Sequence, residues 1–153
     1  MEIIIEGWRA GGEERREAAS APAWQLPTLT EEQKAVAKKM GISEEDYQRS
    51  AYAGRRNQER LIEKTKRFGA VLEAKLAQLK VPGARVDRIR LLTIEHEYRI
   101  EIYVEGKKVL FRVAEDMVDD FIERGFADVG QRIEQNLETV LAVQRAYSKH
   151  GQA

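Results

Sequence analysis

The side chains best suited to chemistry in this chain are the carboxylates of an acidic stretch near residue 120. They are Glu115, Asp116, Asp119, Asp120 and Glu123. Steps of one, three and four residues bring several of them onto one side of a helix, where carboxylates can bind a divalent cation. No histidine accompanies them, the glycine-centred pattern of a calcium loop is missing, and a regular apolar stripe alternates with them. We therefore interpret them as the polar outer face of a helix and expect no metal and no cofactor.

Acid–base catalysis has little support in the residue types. It generally uses a histidine, or paired carboxylates in a cleft. The chain has two histidines, His96 in the segment EHE and His150 near the C-terminal end, and it has no cysteine. It also lacks a G-x-S-x-G motif, a P-loop and a dinucleotide-binding glycine fingerprint. We predict a non-enzymatic protein, with no catalytic residue assigned, and leave catalysis by carboxylates alone open.

The composition narrows the class of protein. Of the 153 residues, 42% are hydrophobic, and 26 basic side chains balance 26 acidic ones. This predicts a folded domain and removes any global attraction to nucleic acid or to an anionic membrane. No apolar run reaches membrane-spanning length, and the start MEIIIEGWRAGGEERRE has too short an apolar core for a signal peptide. We expect a cytoplasmic protein that does not bind a membrane.

Basic side chains concentrate between residues 49 and 67. Four of them share one side of a predicted helix, namely Arg56, Arg60, Lys64 and Arg67. Such a stripe can bind the phosphates of a nucleic acid. However, residues 114–138 hold eight acids against two arginines, and stripes of opposite charge in a neutral chain can pair with each other, within or between subunits. A small nucleic-acid-binding module is therefore the alternative hypothesis. It would use this stripe, with or without the outer face of the sheet predicted below, which carries Arg88, Arg90, Arg99, Tyr103, Lys108 and Arg112.

Capping residues define the helices that carry these side chains. Thr30 and Gln33 fit a capping box, Gly41 ends this first helix, and Ser43 caps the next. The pair has the outline of a DNA-reading helix-turn-helix. Its second helix nevertheless begins with three acids, 44–46, and these would repel the polyanion that the motif approaches. We interpret the pair as a helical corner that packs and does not read DNA.

The same corner carries one resemblance to a known family. The stretch LTEEQKAVAKKMGISEEDYQRS resembles helical corners of phage head-morphogenesis proteins of the scaffold and maturation-protease type. The resemblance covers about residues 28–50, roughly a seventh of the chain. No catalytic motif of such proteases is visible here, so the resemblance implies a structural or assembly role.

A long helix and an N-terminal arm suggest self-association. No proline occurs between Ser43 and Val81, although Gly54 and Gly69 leave the continuity of this helix open. Its apolar residues form a partial coiled-coil seam. Residues 1–29 are predicted as an arm or linker in which EIIIEGW can form a short strand. They contain both tryptophans, which can dock onto their own domain or onto a neighbouring subunit. We predict a homo-oligomer, with an unknown further protein partner, whose interface consists of Ile3, Ile4, Ile5, Trp8, Trp24, Leu61, Phe68, Leu72, Leu76 and Leu79.

The C-terminal half predicts a small sheet. YRIEIYVEGKKVLFRV alternates with a period of two around Glu105-Gly106, which places Ile102 opposite Val109 in a hairpin. RVDRIRLLTIE can add a third strand through a turn centred on His96-Glu97, with Ile89 beside Val104. Two amphipathic helices follow. We predict an α+β fold, a three-stranded antiparallel meander packed by helices, with segments 1–29, 30–80 and 81–151, of which 30–151 form one structural unit.

Overall fold

The computed structural model describes all residues except 8–10, 82, 126 and 151–153, and side chains up to residue 147. Its elements are β1 (Glu2–Glu6), α1 (Gly12–Ser20), a 3-10 turn (Ala23–Gln25), α2 (Glu31–Met40), α3 (Glu44–Gln78), β2 (Arg85–Leu92), β3 (Glu97–Val104), β4 (Lys107–Ala114), α4 (Glu115–Ile122) and α5 (Ala127–His150). They form two compact units. The sheet unit contains residues 1–7 and 62–153, and the helical unit contains residues 8–61. The long helix α3 is continuous through Gly54 and Gly69.

The α+β class is confirmed, but the sheet has four strands instead of three. Their order is β1-β2-β3-β4. The predicted antiparallel meander is present as β2 to β4, and β1 adds to it in parallel, with Ile3 opposite Ile89. A parallel neighbour needs a long crossover connection. Here that connection includes most of the helices, so the pairing of β1 leaves no local trace in the sequence.

The β3–β4 hairpin has the predicted register. Ile102 lies opposite Val109, and Ile100 lies opposite Phe111. The turn residues Glu105 and Gly106 have φ angles of 52° and 79°. Two consecutive positive φ angles are typical of the type I′ turn, whose twist suits a two-residue hairpin.

The predicted register between β2 and β3 was wrong. Ile89 pairs with Ile100 and not with Val104. The turn comes earlier because Thr93 is already bonded to the first strand: its backbone N–H and its hydroxyl both donate to the carbonyl oxygen of Glu6, at 2.9 and 2.8 Å. The shift equals an even number of residues, so Ile89 keeps the predicted face.

Helix α3 packs closely within the sheet unit. Phe68 is fully buried, and its ring lies edge-on to Tyr98 of β3 with 5.3 Å between centroids. At Gly69 the backbone of this helix lies very close to its neighbours. A Cβ atom at this position would lie 2.6 Å from the Met1 side chain and 3.1 Å from Ile89. Glycine therefore lets the helix backbone approach the sheet more closely than a larger residue would.

The two predicted C-terminal helices are present as α4 and α5. Val118 of α4 is buried, as are four residues of α5: Val129, Ile133, Leu137 and Leu141. Tyr147, predicted on the same apolar side, is exposed. No helix in the described part of the chain is long and apolar enough to cross a membrane.

Helix α1 of the helical unit lies in a segment that the sequence predicted to be an arm or linker. Arg49 of α3 holds its end by donating to the carbonyl oxygens of Ala18 and Ala21, at 2.6 and 3.0 Å. The last carbonyl groups of a helix lack intrahelical partners, so the guanidinium supplies the missing donors. Because these contacts are polar, α1 has no apolar period that a sequence pattern could reveal.

Candidate functional site

The helical corner between α2 and α3 contains a groove of about 450 Å³. We call it the corner groove. It lies wholly within the helical unit, and apolar side chains dominate its lining, which consists of Gln33, Val36, Met40, Ile42, Tyr47, Ser50 and Ala51.

The corner itself forms for the reasons that the sequence predicted. The Thr30 hydroxyl accepts a hydrogen bond from the Gln33 backbone at 3.2 Å, and the Gln33 side chain accepts one from the Thr30 backbone at 2.9 Å. Gly41 ends α2 in the left-handed region at φ 71°. The Ser43 hydroxyl then caps α3 by accepting from the Asp46 backbone at 3.0 Å. The predicted capping box, stop and second cap are confirmed, and together they set the angle between the two helices.

Helix α2 presents two apolar side chains to solvent at the corner groove. Ala37, on its inner side, is buried. Val36 and Met40 are 43% and 64% exposed and lie one turn apart on the outer side. A single exposed hydrophobic residue is ordinary, but apolar side chains that line a groove together are typical of a surface that binds another molecule.

The charges of α2 are arranged from acidic to basic along the helix. It begins with Glu31 and Glu32 and ends with Lys38 and Lys39. Lys34 and Glu31 form an ion pair at 3.4 Å. Among the described residues, no hydrogen bond or ion pair engages the side chains of Glu32, Lys38 or Lys39. Two copies of this helix placed antiparallel would bring opposite charges together.

The predicted coiled-coil seam is covered by the chain itself. Leu61, Phe68, Leu72 and Leu76 are buried, and Leu79 is partly buried. A helix that packs on its own core and a helix that packs on another subunit show the same spacing of three and four residues. The assignment of the four buried residues to a subunit interface is therefore corrected: their side chains are not available to another chain.

The arm residues predicted at the interface differ in how far the structure exposes them. Ile3, Ile4 and Ile5 form the centre of β1 and are partly buried. Trp8 lies outside the described residues. Trp24, in the 3-10 turn of the helical unit, is 81% exposed. Among the described arm residues that were predicted at the interface, Trp24 is thus the one whose side chain is largely exposed.

The four basic residues of the nucleic-acid hypothesis all face acceptors of the same chain. Arg60 lies 3.0 Å from Glu13 and 3.1 Å from Glu14, two acids of α1. Arg56 lies 3.6 Å from the carboxylate of Glu17. In the sheet unit, Lys64 and Arg67 meet α4. The carboxylates beside Arg56, Arg60 and Lys64 would compete with a phosphate for these cations.

A buried ionic cluster connects α3 to α4 inside the sheet unit. Lys64 Nζ lies 3.5 Å from Glu115 and 2.5 Å from Asp119, and Glu115 also lies 3.3 Å from Nδ1 of His96. Burial raises the pKa of the Asp119 carboxyl above its ordinary value, against the opposing effect of the Lys64 hydrogen bond. Lys64 and Glu115 are both buried, which withholds them from a dissolved substrate.

The sequence contained a weak signal for this cluster. Lys64 follows Leu61 by three residues and therefore falls on the apolar side of the helix, where a cation needs a buried partner. Glu115 was assigned to the polar face of α4, although it is buried. The Lys64 position predicts that some carboxylate must be buried, but only the fold identifies which one.

Comparison of the chain with protein-family models, with curated proteins and with solved structures finds no match. The functional proposal rests on the corner groove, because apolar side chains dominate its lining and two of them are exposed.

Proposed function

We propose that this chain is a non-enzymatic structural protein that self-associates through the corner groove. The observation that carries the proposal is the exposure of Val36 and Met40, two residues of α2 that line the corner groove. The resemblance of residues 28–50 to corners of phage head-morphogenesis proteins agrees with a role as an assembly component. Trp24 is the proposed contribution of the N-terminal arm, because a large exposed aromatic side chain can anchor an interface.

The charge order of α2 favours a second copy as the occupant. In a two-fold symmetric contact the same surface meets itself. Two α2 helices crossing antiparallel near Val36 bring Glu32 of each copy beside the partner's Lys39, because these two residues are equidistant from the centre of the pair. Met40 of each copy then reaches towards the groove of the other. One arrangement thereby pairs free charges and covers exposed apolar surface.

Sedimentation velocity over a range of concentrations tests the proposal. The wild-type chain is expected to show a concentration-dependent dimer. Met40→Glu places a charge in the apolar contact and should weaken the dimer by more than about tenfold, which corresponds to roughly 1.4 kcal/mol. Val143→Glu, at an exposed apolar position on α5 in the other unit, is the matched control and should leave the dimer unchanged. A wild-type chain that stays monomeric at high micromolar concentration contradicts the proposal.

We do not extend the proposal to nucleic acid. Arg56 and Arg60 are about half exposed, but each lies within ion-pair distance of acids on α1. Salt-dependent retardation of the wild-type chain on DNA or RNA would reverse this choice.

A further inference from the structure

The face of the sheet opposite Ile89 and Ile100 carries three arginines in cross-strand register. Arg90 of β2 lies opposite Arg99 of β3, and Arg99 lies opposite Arg112 of β4. We call them the arginine row. Directly opposed side chains on neighbouring strands are about 5 Å apart at Cβ, and like charges at that distance destabilise a sheet. Such a row needs negative charge close to it.

The chain supplies only part of that charge. Glu6 lies 3.2 Å from Nε of Arg90, and Glu97 accepts a hydrogen bond from Nε of Arg99 at 2.9 Å. Arg112 is exposed, and among the described residues it has no hydrogen bond and no ion pair. Three guanidinium groups thus have two carboxylates as ion-pair partners.

Arg90 has an unused donor as well. Its Nε atom is buried and makes no hydrogen bond with the described residues, because the nearby Glu6 oxygen is not aligned with the N–H group. A buried N–H without an acceptor costs free energy that an added oxygen atom would recover.

A groove lies beside the row and is of suitable size for a small anion. It has a volume of about 150 Å³ and is lined by Arg88, Arg90, Arg99, Glu101 and Leu110. Two members of the arginine row thus line the groove, and the third, Arg112, lies opposite Arg99 on the neighbouring strand. Typical pockets for larger organic ligands exceed about 300 Å³. Glu101 is the acid in the lining, and its Oε2 atom is buried and makes no hydrogen bond with the described residues. The same atom lies 3.7 Å from both Arg88 and Lys108, which offset its charge, and the hydroxyl of a protonated phosphate can donate to it.

We propose that the arginine row binds a small tetrahedral oxyanion, either inorganic phosphate or a phosphate monoester. The guanidinium group presents a planar fork of N–H donors, which matches two oxygens of a phosphate and explains why arginine would be used at all three positions. Base stacking has no part in the site. The half-buried aromatic ring on this face, Tyr103, already lies against Arg85 and Lys108, at 5.0 and 5.4 Å from the ring centroid.

Amide chemical-shift titration at low ionic strength tests the site, with inorganic phosphate and O-phosphoserine as separate probes. The expected result is saturable shifts in β2, β3 and β4. Equal affinity for the two probes assigns the site to free phosphate, and tighter binding of phosphoserine assigns it to a phosphorylated molecule.

Two variants and one control identify the residues responsible. Arg112→Gln should weaken phosphate binding by roughly tenfold or more, since a hydrogen bond to a charged group is lost. Arg99→Lys keeps the positive charge but should also weaken phosphate binding, because lysine lacks the planar pair of N–H donors of a guanidinium group. Lys107→Gln, an equal loss of charge on the same strand, should have little effect. An absence of saturable shifts in the wild type, binding unchanged in Arg112→Gln, or binding lost equally in Lys107→Gln would each overturn the proposal.

Discussion

Lys64 Nζ lies 3.5 Å from Oε1 of Glu115, and the two side chains are only 8% and 2% exposed. Removing both charges from water is costly, and the attraction between them repays that cost only while both are present. Lys64→Ala would leave the Glu115 carboxylate buried without its lysine. We expect the free energy of unfolding to fall by about 3–5 kcal/mol, measured by urea denaturation. Lys66→Ala, exposed on the same helix, should change it by less than about 0.5 kcal/mol. Equal effects would mean that the pair contributes nothing.

The raised pKa of Asp119 gives the fold a dependence on pH. Desolvation is the main cause of the shift. The folded state therefore holds the proton of this carboxyl more tightly than the unfolded chain, in which the carboxyl has its ordinary pKa of 3.8. The resulting stabilisation is complete below 3.8 and is lost as the pH rises through the folded pKa. Asp119→Asn should abolish this fall in the free energy of unfolding with rising pH. Asp116→Asn, at an exposed position of α4, should leave it unchanged. Identical slopes of stability against pH in the wild type and Asp119→Asn would contradict the prediction.

The buried seam predicts a separation between stability and association. Leu72 is buried, whereas Leu110 on the outer sheet face is substantially exposed. Leu72→Ala should lower the free energy of unfolding by about 2–5 kcal/mol through a cavity, and Leu110→Ala by much less. Under conditions in which both variants are folded, their dimer dissociation constants should equal that of the wild type. A weaker dimer for folded Leu72→Ala would mean that the coiled-coil seam does take part in the subunit interface.

Charge reversal tests the antiparallel pairing of α2. Glu32→Lys or Lys39→Glu alone replaces two symmetry-related attractions by repulsions. Each should weaken the dimer by about tenfold at low salt. The double variant restores opposite charges across the axis and should recover the wild-type dissociation constant, as measured by sedimentation. If the double variant is weaker than both single variants, the helices do not meet in this arrangement.

Arg49 is expected to hold α1 in place. Its Nη1 atom donates to carbonyl oxygens at the end of α1 while its Nη2 atom donates to Glu45, and the single nitrogen of an ammonium group cannot occupy both positions. Arg49→Lys should therefore increase amide hydrogen exchange throughout α1 and destabilise the helical unit by about 2 kcal/mol. Arg55→Lys, exposed on the same helix, is the control. Unchanged exchange in α1 would show that other contacts suffice.

Local interactions account for the parts of the fold that the sequence predicts well. The hairpin of β3 and β4 depends on a two-residue turn and strict alternation, both of which lie within a short stretch. The caps at Thr30 and Ser43 involve residues only three apart. Each signal is complete within its own segment, so no tertiary information is needed to interpret it.

Contacts between distant segments account for the errors. The parallel pairing of β1 and the burial of Glu115 depend on elements far apart in the chain. The spacing of Phe68, Leu72 and Leu76 is correct for a packed helix but carries no information about which molecule it packs against. The alternation predicts Arg90, Arg99 and Arg112 on the outer face of the sheet, but the alignment of Arg90 with Arg99 depends on the β2–β3 register, which was predicted wrongly.

The position of β1 has a consequence for biosynthesis. Glu2 forms its ion pair with Arg88, which lies 86 residues later in the chain. At a translation rate of about 5–20 residues per second, the nascent strand waits roughly 4 to 17 seconds for its partner. During that delay an isoleucine triplet with unpaired backbone groups is open to wrong pairing, and the glutamates on either side of it provide the electrostatic repulsion that keeps two waiting chains apart.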